Sequence, residues 1–315
     1  MAQQFSIPHA RLILMSSIPD SRFPIPRSKS PIPDSPFPIP GSIAFIGSGN
    51  VARSLIGGLV ALGIPASTIA VSGPNARLRA ALADDFGVHA HIDNQDAARD
   101  AEVWVLAVKP QVLRAVCEEL SALAREQRPL IVSVAAGITI VQVERWLDAD
   151  VAPEIGVVRA MPNTPALLGA SATALCANPH ASSAQRAQAQ RLFEAVGIAL
   201  WVDDETLMDT VTATSGSGPA YVFALVEAMQ TAAQAQGLPA TIAQALIAQT
   251  ILGAGRMLCE SGEDAATLRR RVTSPGGVTA EALKCFEAGG FRALIAKGIA
   301  AATARGAELS AQNDA

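Results

Sequence analysis

The sequence predicts an α/β domain built on a mostly parallel sheet, followed by an all-α domain. Short β-branched runs alternate with helical stretches from Ser42 onward, the first run leads directly into a glycine-rich turn, and no alternation continues beyond Trp201. Strands that alternate with helices are typical of a parallel sheet covered by helices on both faces. The chain has 315 residues, half of them apolar, and this length favours about two domains.

Six strands are predicted in the α/β domain, which is assigned to residues 41–203. They are the runs 42–46, 69–72, 103–108, 130–134, 157–159 and 199–201. An amphipathic helix is predicted at residues 51–62, directly after the first strand. From Asp204 onward the pattern is helical with Gly and Pro punctuation, so residues 204–315 are predicted to form the all-α domain.

Residues 1–40 form a Pro-rich extension in which residues 17–26 nearly recur as residues 31–40. Because proline fixes φ and removes a backbone donor, this extension is expected to be extended and disordered. It lacks the apolar core and cleavage site of a signal peptide. A further hypothesis is that translation begins near Gly41, which the intact mass of the native protein would test.

Composition argues against several function classes. A formal net charge of -4 gives no basic surface for nucleic acid. The charge-free span 228–255 is interrupted by glutamines and by Gly237-Leu238-Pro239, so membrane insertion is not predicted. The four histidines show no metal-ligand pattern, and no metal site is predicted.

The four cysteines are expected to be buried free thiols. Cys117, Cys176, Cys259 and Cys285 show no paired spacing, so neither a disulfide framework nor a zinc site is predicted. Free thiols persist in a reducing compartment, and we therefore expect a cytoplasmic protein.

The first predicted strand runs directly into the segment GSGNVA at 47–52, which is the setting of a dinucleotide fingerprint. Gly47 permits the tight turn, Gly49 lets the backbone approach a pyrophosphate, and Ala52 lets the helix pack closely on its strand. A Rossmann-like, NAD(P)-binding domain is therefore predicted. The similar spacing at 253–255 falls inside a predicted helix and is not such a fingerprint.

The second predicted strand ends at Ser72, without the acidic side chain that binds the ribose 2'-hydroxyl in NAD enzymes. Arg77 and Arg79 follow and can accommodate a 2'-phosphate, so NADPH is the expected cofactor, with NADH as the alternative. A solvated helix face is the other interpretation of these arginines.

Three further segments follow predicted strands and should meet at the carboxyl edge of the sheet, where open parallel sheets bind ligands. They are AVKP at 107–110, VAAG at 134–137 and MPNTP at 161–165. Their small residues and prolines would line a flat nicotinamide pocket without filling it. Lys109 is assigned a structural or cofactor-facing role.

The segment TSPGGVT at 273–279 contains no charged side chain and leads into a helical stretch. Gly276 and Gly277 let backbone amides approach a ligand, the helix start adds unpaired N–H groups, and Ser274 and Thr279 supply hydroxyls. This composition suits a small anion such as a carboxylate. Ordinary turn and cap chemistry is the alternative that these residues leave open.

The helical stretches near residues 221–229 and 242–258 are apolar nearly all round, which indicates burial on several sides. A homodimer in which these helices interleave is the simplest explanation. Residues 215–219 lack the GxSxG spacing of a nucleophile elbow and are expected to start the first of these helices.

Taken in order, these motifs resemble the pyrroline-5-carboxylate reductase family over residues 41–309. The matching segments are GSGNVA at 47–52, AVKP at 107–110, AAG at 135–137, MPNTP at 161–165, SGSGPAY at 215–221 and TSPGGVT at 273–279. The resemblance implies reduction of 1-pyrroline-5-carboxylate to L-proline with NADPH or NADH, the last step of proline biosynthesis. It also implies a homodimer, or a decamer of five dimers.

The resemblance implies two sets of contact residues. The cofactor set is Ile46, Gly47, Ser48, Gly49, Asn50, Val51, Ser72, Asn94, Ala107, Val108, Lys109, Pro110, Val134, Ala135, Ala136 and Asn163. The substrate and catalytic set is Ser274, Gly276, Gly277, Val278 and Thr279. Val278 departs from the Thr or Ala that is frequent in the family, and three arginines at 269–271 replace a mixed Lys-Asp stretch, so no family contact is carried over to that stretch.

The expected mechanism depends on positioning. The amides of residues 277–279 would hold the substrate carboxylate with Ser274 as a second donor, and the Thr279 hydroxyl would bond the ring nitrogen. No His, Asp or Glu stands out as a general acid, consistent with an imine that arrives protonated.

Two alternative functions are a β-hydroxyacid dehydrogenase and a non-catalytic NADP-binding sensor. The dehydrogenase would need a lysine on an early helix of the second domain, and residues 207–254 contain no lysine.

Overall fold

The computed structural model describes residues 41–147 and 155–313. The Pro-rich extension, and with it the hypothesis of a later translation start, lies outside the described residues. Within these ranges a sheet covered by helices is followed by a set of helices without strands. This arrangement confirms the predicted fold class.

An eight-stranded sheet forms the first part of the fold. Its strands are β1 (Ile43–Ile46), β2 (Ile69–Ser72), β3 (His89–His91), β4 (Val103–Leu106), β5 (Leu130–Ser133), β6 (Val157–Met161), β7 (Ser171–Ala177) and β8 (Gly197–Trp201). Their order is β3-β2-β1-β4-β5-β6-β7-β8. All neighbours pair in parallel except β6 and β7, which are antiparallel. The strand order reverses between β1 and β4, and this reversal creates a crevice at the carboxyl edge.

Twelve α-helices lie within the described ranges. They are α1 (Asn50–Ala61), α2 (Ala76–Phe86), α3 (Asn94–Ala98), α4 (Pro110–Gln127), α5 (Ile140–Trp146), α6 (Ser183–Glu194), α7 (Met208–Val211), α8 (Gly218–Ala235), α9 (Ala240–Glu260), α10 (Ala265–Arg271), α11 (Val278–Ala288) and α12 (Phe291–Gln312). A 3₁₀ turn (Glu205–Leu207) precedes α7, and a π-helical turn (Thr212–Gly216) separates α7 from α8.

Each face of the sheet has its own apolar core. Phe45 and Phe193 belong to the core on one face, and Ile46 and Trp104 belong to the core on the other. Neighbouring residues of β1 fall in different cores because successive side chains of a strand point to opposite faces. The Trp104 indole N–H donates to the Ala98 carbonyl oxygen at 3.0 Å, so this buried donor is satisfied.

Of the six predicted strands, the run 69–72 is correct at both ends, the other five are wrong at one end each, and two strands are missing from the prediction. The run 103–108 ends as a strand at Leu106, the run 157–159 extends to Met161, and the run 199–201 begins at Gly197. β3 and β7 are absent from the prediction. β3 has only three residues, and β7 is composed mainly of Ser, Ala and Thr, so its strand conformation depends on pairing with β6 and not on local propensity.

The cysteine prediction is correct for two of the four thiols. Cys117 and Cys176 are buried, whereas Cys259 of α9 and Cys285 of α11 are exposed on this chain. Burial and, to a smaller extent, the charge of the neighbouring Glu118 together raise the pKa of the Cys117 thiol to about 12. The pKa of Cys176 is also raised, mainly by burial and then by the charge of Glu205.

The helices after the sheet bury little of their apolar surface. α8 packs on α9, and α12 packs on α7 and on the π-helical turn. No residue of α8, α11 or α12, all of which the structure describes, is buried, and α9 buries only Ala243 and Ile247. α9 is long and apolar enough to cross a membrane, with a mean hydropathy of 1.3, which is weak evidence because core helices share this property.

Candidate functional site

The carboxyl ends of four parallel strands meet at one edge of the sheet. Ile46 at the end of β1 is paired with Ser72 of β2 and with Leu106 of β4. Leu106 is in turn paired with Ser133 of β5. The loops after these strands therefore begin side by side, at the edge where open parallel sheets bind ligands. The predicted cofactor segments that follow β1, β4 and β5 are thus brought together.

The turn after β1 requires glycine at position 47. Gly47 has a φ of +117°, and a Cβ at this position would lie 2.4 Å from the Ala107 carbonyl oxygen. The Gly47 N–H donates to the Ser72 carbonyl oxygen at 3.0 Å. The turn is therefore packed against the loop after β4 and bonded to the end of β2, and a larger side chain would displace the backbone.

Gly49 begins α1 and faces open space. It N-caps the helix with extended backbone and no side-chain cap, and no heavy atom lies within 4 Å of the position of a Cβ. The first turn of α1 contains no acidic residue, so its N–H groups and the positive end of its dipole suit an anion. Beside it, Ser48 is buried, Val51 is half-buried and Asn50 is exposed.

A cavity of about 250 Å³ lies at the start of α1. Residues 48–50 line it together with Arg77 of α2, whose guanidinium group suits a phosphate. Arg53 also lines the cavity and pairs with Asp85 at 2.5 Å. Arg79, which was predicted alongside Arg77, donates instead to the Gly73 carbonyl oxygen and supports the loop after β2.

Ser72 and Asn94 form a short chain of hydrogen bonds at the end of β2. The buried Ser72 hydroxyl donates to Asn94 Oδ1 at 2.7 Å, and Asn94 Nδ2 donates to Glu119 at 2.9 Å. These bonds fix Asn94 relative to the strand end. β2 therefore ends in a hydroxyl side chain at the position where NAD enzymes usually have a carboxylate.

The loops after β4 and β5 are held to their neighbouring strands. The Ala107 N–H donates to the Ile46 carbonyl oxygen at 2.8 Å, and the Val134 N–H donates to the Leu106 carbonyl oxygen at 3.2 Å. Lys109 N-caps α4, yet its exposed side chain makes no capping hydrogen bond. A lysine side chain can only donate hydrogen bonds, so both of its predicted roles stay open.

Asn163 connects the end of β6 to the segment before α8. Its Nδ2 donates to the Ser215 carbonyl oxygen at 3.0 Å, and its Oδ1 accepts from the Ala172 N–H at 3.0 Å. Both ends of the amide thus contact protein, which gives Asn163 a supporting role. Ser215 lies in the π-helical turn, a feature that is frequent at functional sites, and α8 begins at Gly218 as predicted for this segment.

The loop predicted to bind the substrate carboxylate is exposed on this chain. Ser274 and Thr279 are exposed, and Val278 is 91 % exposed. Gly276 adopts a φ of +69°, and Gly277 N-caps α11 without a side-chain capping bond. The Gly277 N–H donates within the loop, to the Ser274 carbonyl oxygen at 3.0 Å. The loop therefore presents a helix N-terminus and two hydroxyls to solvent.

Sequence reasoning missed a buried ion cluster that joins β6 to the helices. Arg159 is 4 % exposed and pairs with Glu205 at 3.0 Å and with Asp209 at 3.4 Å. Glu205 also accepts from the Ile140 N–H at 2.8 Å. A buried guanidinium requires such partners, because an unpaired charge is costly to bury. The signal in the sequence is an arginine within the otherwise apolar strand VVRAM.

The fold and the site define a class of protein, the pyridine-nucleotide-dependent oxidoreductases with a Rossmann-like domain followed by a helical domain. Residues 42–137 match the family described as NADP oxidoreductase coenzyme F420-dependent. Residues 205–309 match the family described as pyrroline-5-carboxylate reductase dimerisation. The chain is also 52% identical to a pyrroline-5-carboxylate reductase of Pseudomonas aeruginosa over 86% of this chain and 97% of the relative. The chain belongs to the pyrroline-5-carboxylate reductase family.

Solved structures of two relatives share the fold. A pyrroline-5-carboxylate reductase from Coxiella burnetii is 41% identical, with a TM-score of 0.82 over 86% of this chain and 98% of that one. A Plasmodium falciparum pyrroline carboxylate reductase with NADP bound is 27% identical, with a TM-score of 0.74 over 85% of this chain and 98% of that one. The similarity therefore extends over both the sheet and the helices.

Proposed function

We propose that this chain reduces the C=N bond of 1-pyrroline-5-carboxylate to L-proline with NADPH, as the last step of proline biosynthesis in the cytoplasm. The observation that carries the proposal is the 52% identity to a pyrroline-5-carboxylate reductase over 86% of the chain. The structure adds a dinucleotide-type site at the strand edge and a glycine-rich loop at the start of α11. Together these features match a reductase for a small anionic substrate.

The residues at the strand edge fit a reduced dinucleotide. The open space at Gly49 accommodates a pyrophosphate at the start of α1. In this proposal residues 46–51, Ser72 and Asn94 hold the adenosine diphosphate portion, and residues 107–110 and 134–136 flank the nicotinamide. Asn163 supports the site indirectly, through its hydrogen bonds to Ser215 and Ala172. The bound nicotinamide supplies the hydride, while the protein supplies its orientation.

NADPH is the proposed cofactor because of the residues that follow β2. The strand ends at Ser72 without a carboxylate, and Arg77 lines the cavity beside Gly49. A guanidinium group there would pair with a 2'-phosphate, which NADH lacks. The NADP bound to the relative from Plasmodium falciparum supports this choice.

The loop before α11 is proposed to hold the substrate. The backbone N–H groups of Val278 and Thr279 lie at the N-terminus of an eleven-residue helix and would bind the carboxylate, together with the Ser274 hydroxyl. The Gly277 N–H, also predicted for this role, is bonded instead to the Ser274 carbonyl oxygen. The left-handed Gly276 shapes the turn. The Thr279 hydroxyl would hydrogen-bond the ring nitrogen as it changes from iminium to amine. Holding both groups of the substrate orients its C5 atom for attack.

No motif of the sequence assigns a His, Asp or Glu as proton donor for the reaction, and the chemistry does not require one. A cyclic imine that arrives protonated is already a good hydride acceptor, so the protein acts mainly by orientation. A β-hydroxyacid dehydrogenase would instead need a lysine on an early helix of the second domain. Residues 207–254 contain no lysine, which argues against that alternative.

A homodimer is proposed as the functional unit. α8 and α9 pack on each other but bury only Ala243 and Ile247 among the residues that the structure describes, and the match to a family dimerisation domain covers residues 205–309. Because the loop at 273–279 is exposed on one chain, a second copy is well placed to complete the site. Sedimentation velocity would distinguish this homodimer from a decamer of five dimers, which is the larger assembly proposed.

The decisive experiment follows NADPH absorbance after addition of 1-pyrroline-5-carboxylate. A substrate-dependent decrease, with L-proline as product, is expected from the enzyme, whereas a non-catalytic NADP-binding sensor would bind NADPH without turnover. The Gly49→Val variant should retain its unfolding temperature but lose NADPH binding, because the new side chain would occupy the pyrophosphate position. Normal NADPH affinity in this variant would contradict the cofactor site.

A further inference from the structure

The last turn of α12 contacts the loop that follows β5. Asn313 Nδ2 donates to the Gly137 carbonyl oxygen at 3.1 Å, and Gln142 Nε2 donates to the Ser310 carbonyl oxygen at 3.0 Å. Leu309 also packs against Gly137, since a Cβ on this glycine would lie 3.3 Å from Leu309 Cβ. The end of α12 is thereby fixed to the segment from residue 137 to residue 142.

This segment is rigid on its own side as well. Gln142 is 3 % exposed, and its Oε1 accepts from the Thr139 N–H at 2.7 Å in a capping box that begins α5. The Ile140 N–H donates to Glu205, which is held by the buried Arg159. Because these partners come from separate parts of the chain, the loop after β5 has little freedom to move.

The position of the contact connects it to the reaction. Gly137 directly follows Ala135 and Ala136, which are proposed to flank the nicotinamide. At its other end α12 follows α11, the helix that begins at the substrate loop. α12 has 22 residues and spans about 33 Å at the usual rise per residue. One continuous helix therefore connects the cofactor loop to the element that carries the substrate loop.

We propose that Asn313 and Gln142 are positioning residues, which hold the loop at 135–137 against the end of α12 so that the nicotinamide is fixed for hydride transfer. This inference rests on the proposed function. Neither side chain is assigned a contact with substrate or cofactor. Their effect is transmitted through the Gly137 carbonyl oxygen and the start of α5, so it should appear in turnover more than in cofactor affinity.

The test compares Asn313→Ala with Ser310→Ala. Asn313 lies after the last turn of α12, where its loss leaves both cores intact. Ser310 is the matched control, because Gln142 bonds its backbone carbonyl and its hydroxyl has no hydrogen-bond partner within the described part of the chain. We expect kcat to fall about tenfold in Asn313→Ala, with the Kd of NADPH within about threefold and the control unchanged.

Two further readouts separate positioning from a structural role. The deuterium isotope effect on kcat with 4-deuterated NADPH should rise in Asn313→Ala, because hydride transfer becomes slower than product release. Hydrogen exchange at residues 134–142 should become faster in Asn313→Ala and in Gln142→Ala. Sedimentation should give the wild-type oligomeric state for all variants.

The possible failures are distinguishable. A wild-type chain that does not oxidise NADPH with 1-pyrroline-5-carboxylate would overturn the proposed function and this inference with it. An active wild type with unchanged kcat in Asn313→Ala, or with an equal loss in Ser310→Ala, would overturn the inference alone. Unchanged hydrogen exchange in both Asn313→Ala and Gln142→Ala would show that these side chains do not hold the loop.

Discussion

The sheet and the helices that follow it achieve burial in different ways. In the sheet, Phe45 and Trp104 are fully buried by elements of the same chain. In the helices, Phe223 of α8 is 66 % exposed and Leu246 of α9 is 57 % exposed. Exposed apolar surface of this kind is typical of an interface. The core of the sheet is therefore complete within the described residues, whereas the helices leave apolar surface exposed there, and this contrast supports the proposed homodimer.

The largest effect, on the oligomeric state, is expected from a charge introduced on the exposed apolar face of α9. Leu246→Glu should dissociate the dimer, because each buried Leu contributes about 1.5–3 kcal/mol and each dimer carries the change twice. Sedimentation velocity at micromolar concentration checks this outcome. The matched control is Val112→Glu on α4, where the side chain is 50 % exposed and lies over the completed core. A stable Leu246→Glu dimer would break the comparison between the two regions.

A smaller effect is expected from the substrate loop on the helical side. Thr279→Ala should lower kcat by about 2–4 kcal/mol in activation free energy if the hydroxyl bonds the ring nitrogen mainly in the transition state. Thr279→Ser retains a hydroxyl and should recover most of the turnover. NADPH affinity, measured by fluorescence titration, should remain near the wild-type value in both. An unchanged kcat in Thr279→Ala would remove Thr279 from the mechanism.

The same contrast explains which features the sequence could predict. The cofactor turn was predictable because its requirements are local: Gly47 must adopt a positive φ beside Ala107, and Gly49 must leave space before α1. The helix after the second glycine-rich segment was predicted with a later start, at Ala280, whereas α11 begins at Val278. The cofactor turn needed no knowledge of distant contacts, since glycine spacing and a preceding strand contain the necessary information.

Features that depend on distant partners were not predictable. β7 is a strand because β6 pairs with it, as in the register of Arg159 with Cys176, although its own residues are mostly small. The partners of Arg159 lie 46 and 50 residues further along the chain. The exposure of Cys259 and Cys285 likewise follows from how little α9 and α11 are covered by the other described residues. Local sequence contains no record of such partners.

The two arginines after β2 should differ in their effect on the preference for NADPH over NADH. Arg77→Ala is expected to raise the KM for NADPH about tenfold, or about 1.4 kcal/mol, and to leave the KM for NADH nearly unchanged, because only NADPH has the 2'-phosphate. Arg79 donates to the Gly73 carbonyl oxygen and supports the loop after β2. Arg79→Ala should therefore weaken the binding of NADPH and of NADH to a similar extent. Equal changes for NADPH and NADH in Arg77→Ala would contradict the assigned phosphate contact.

The smallest expected effect concerns the thiols that distinguish the two regions. Burial raises the pKa of Cys117 from 9.0 to about 12, so the unfolded chain loses this proton at lower pH than the folded chain does. The resulting stability is fully present below pH 9 and is lost as pH rises towards 12. In urea unfolding at fixed protein concentration, the free energy of unfolding should fall by about 1 kcal/mol more between pH 8 and pH 10 in the wild type than in Cys117→Ala. If the free energy of unfolding of the wild type and of Cys117→Ala changed with pH in parallel, burial in this core would not raise the pKa of the Cys117 thiol. The two regions would then not differ in this respect.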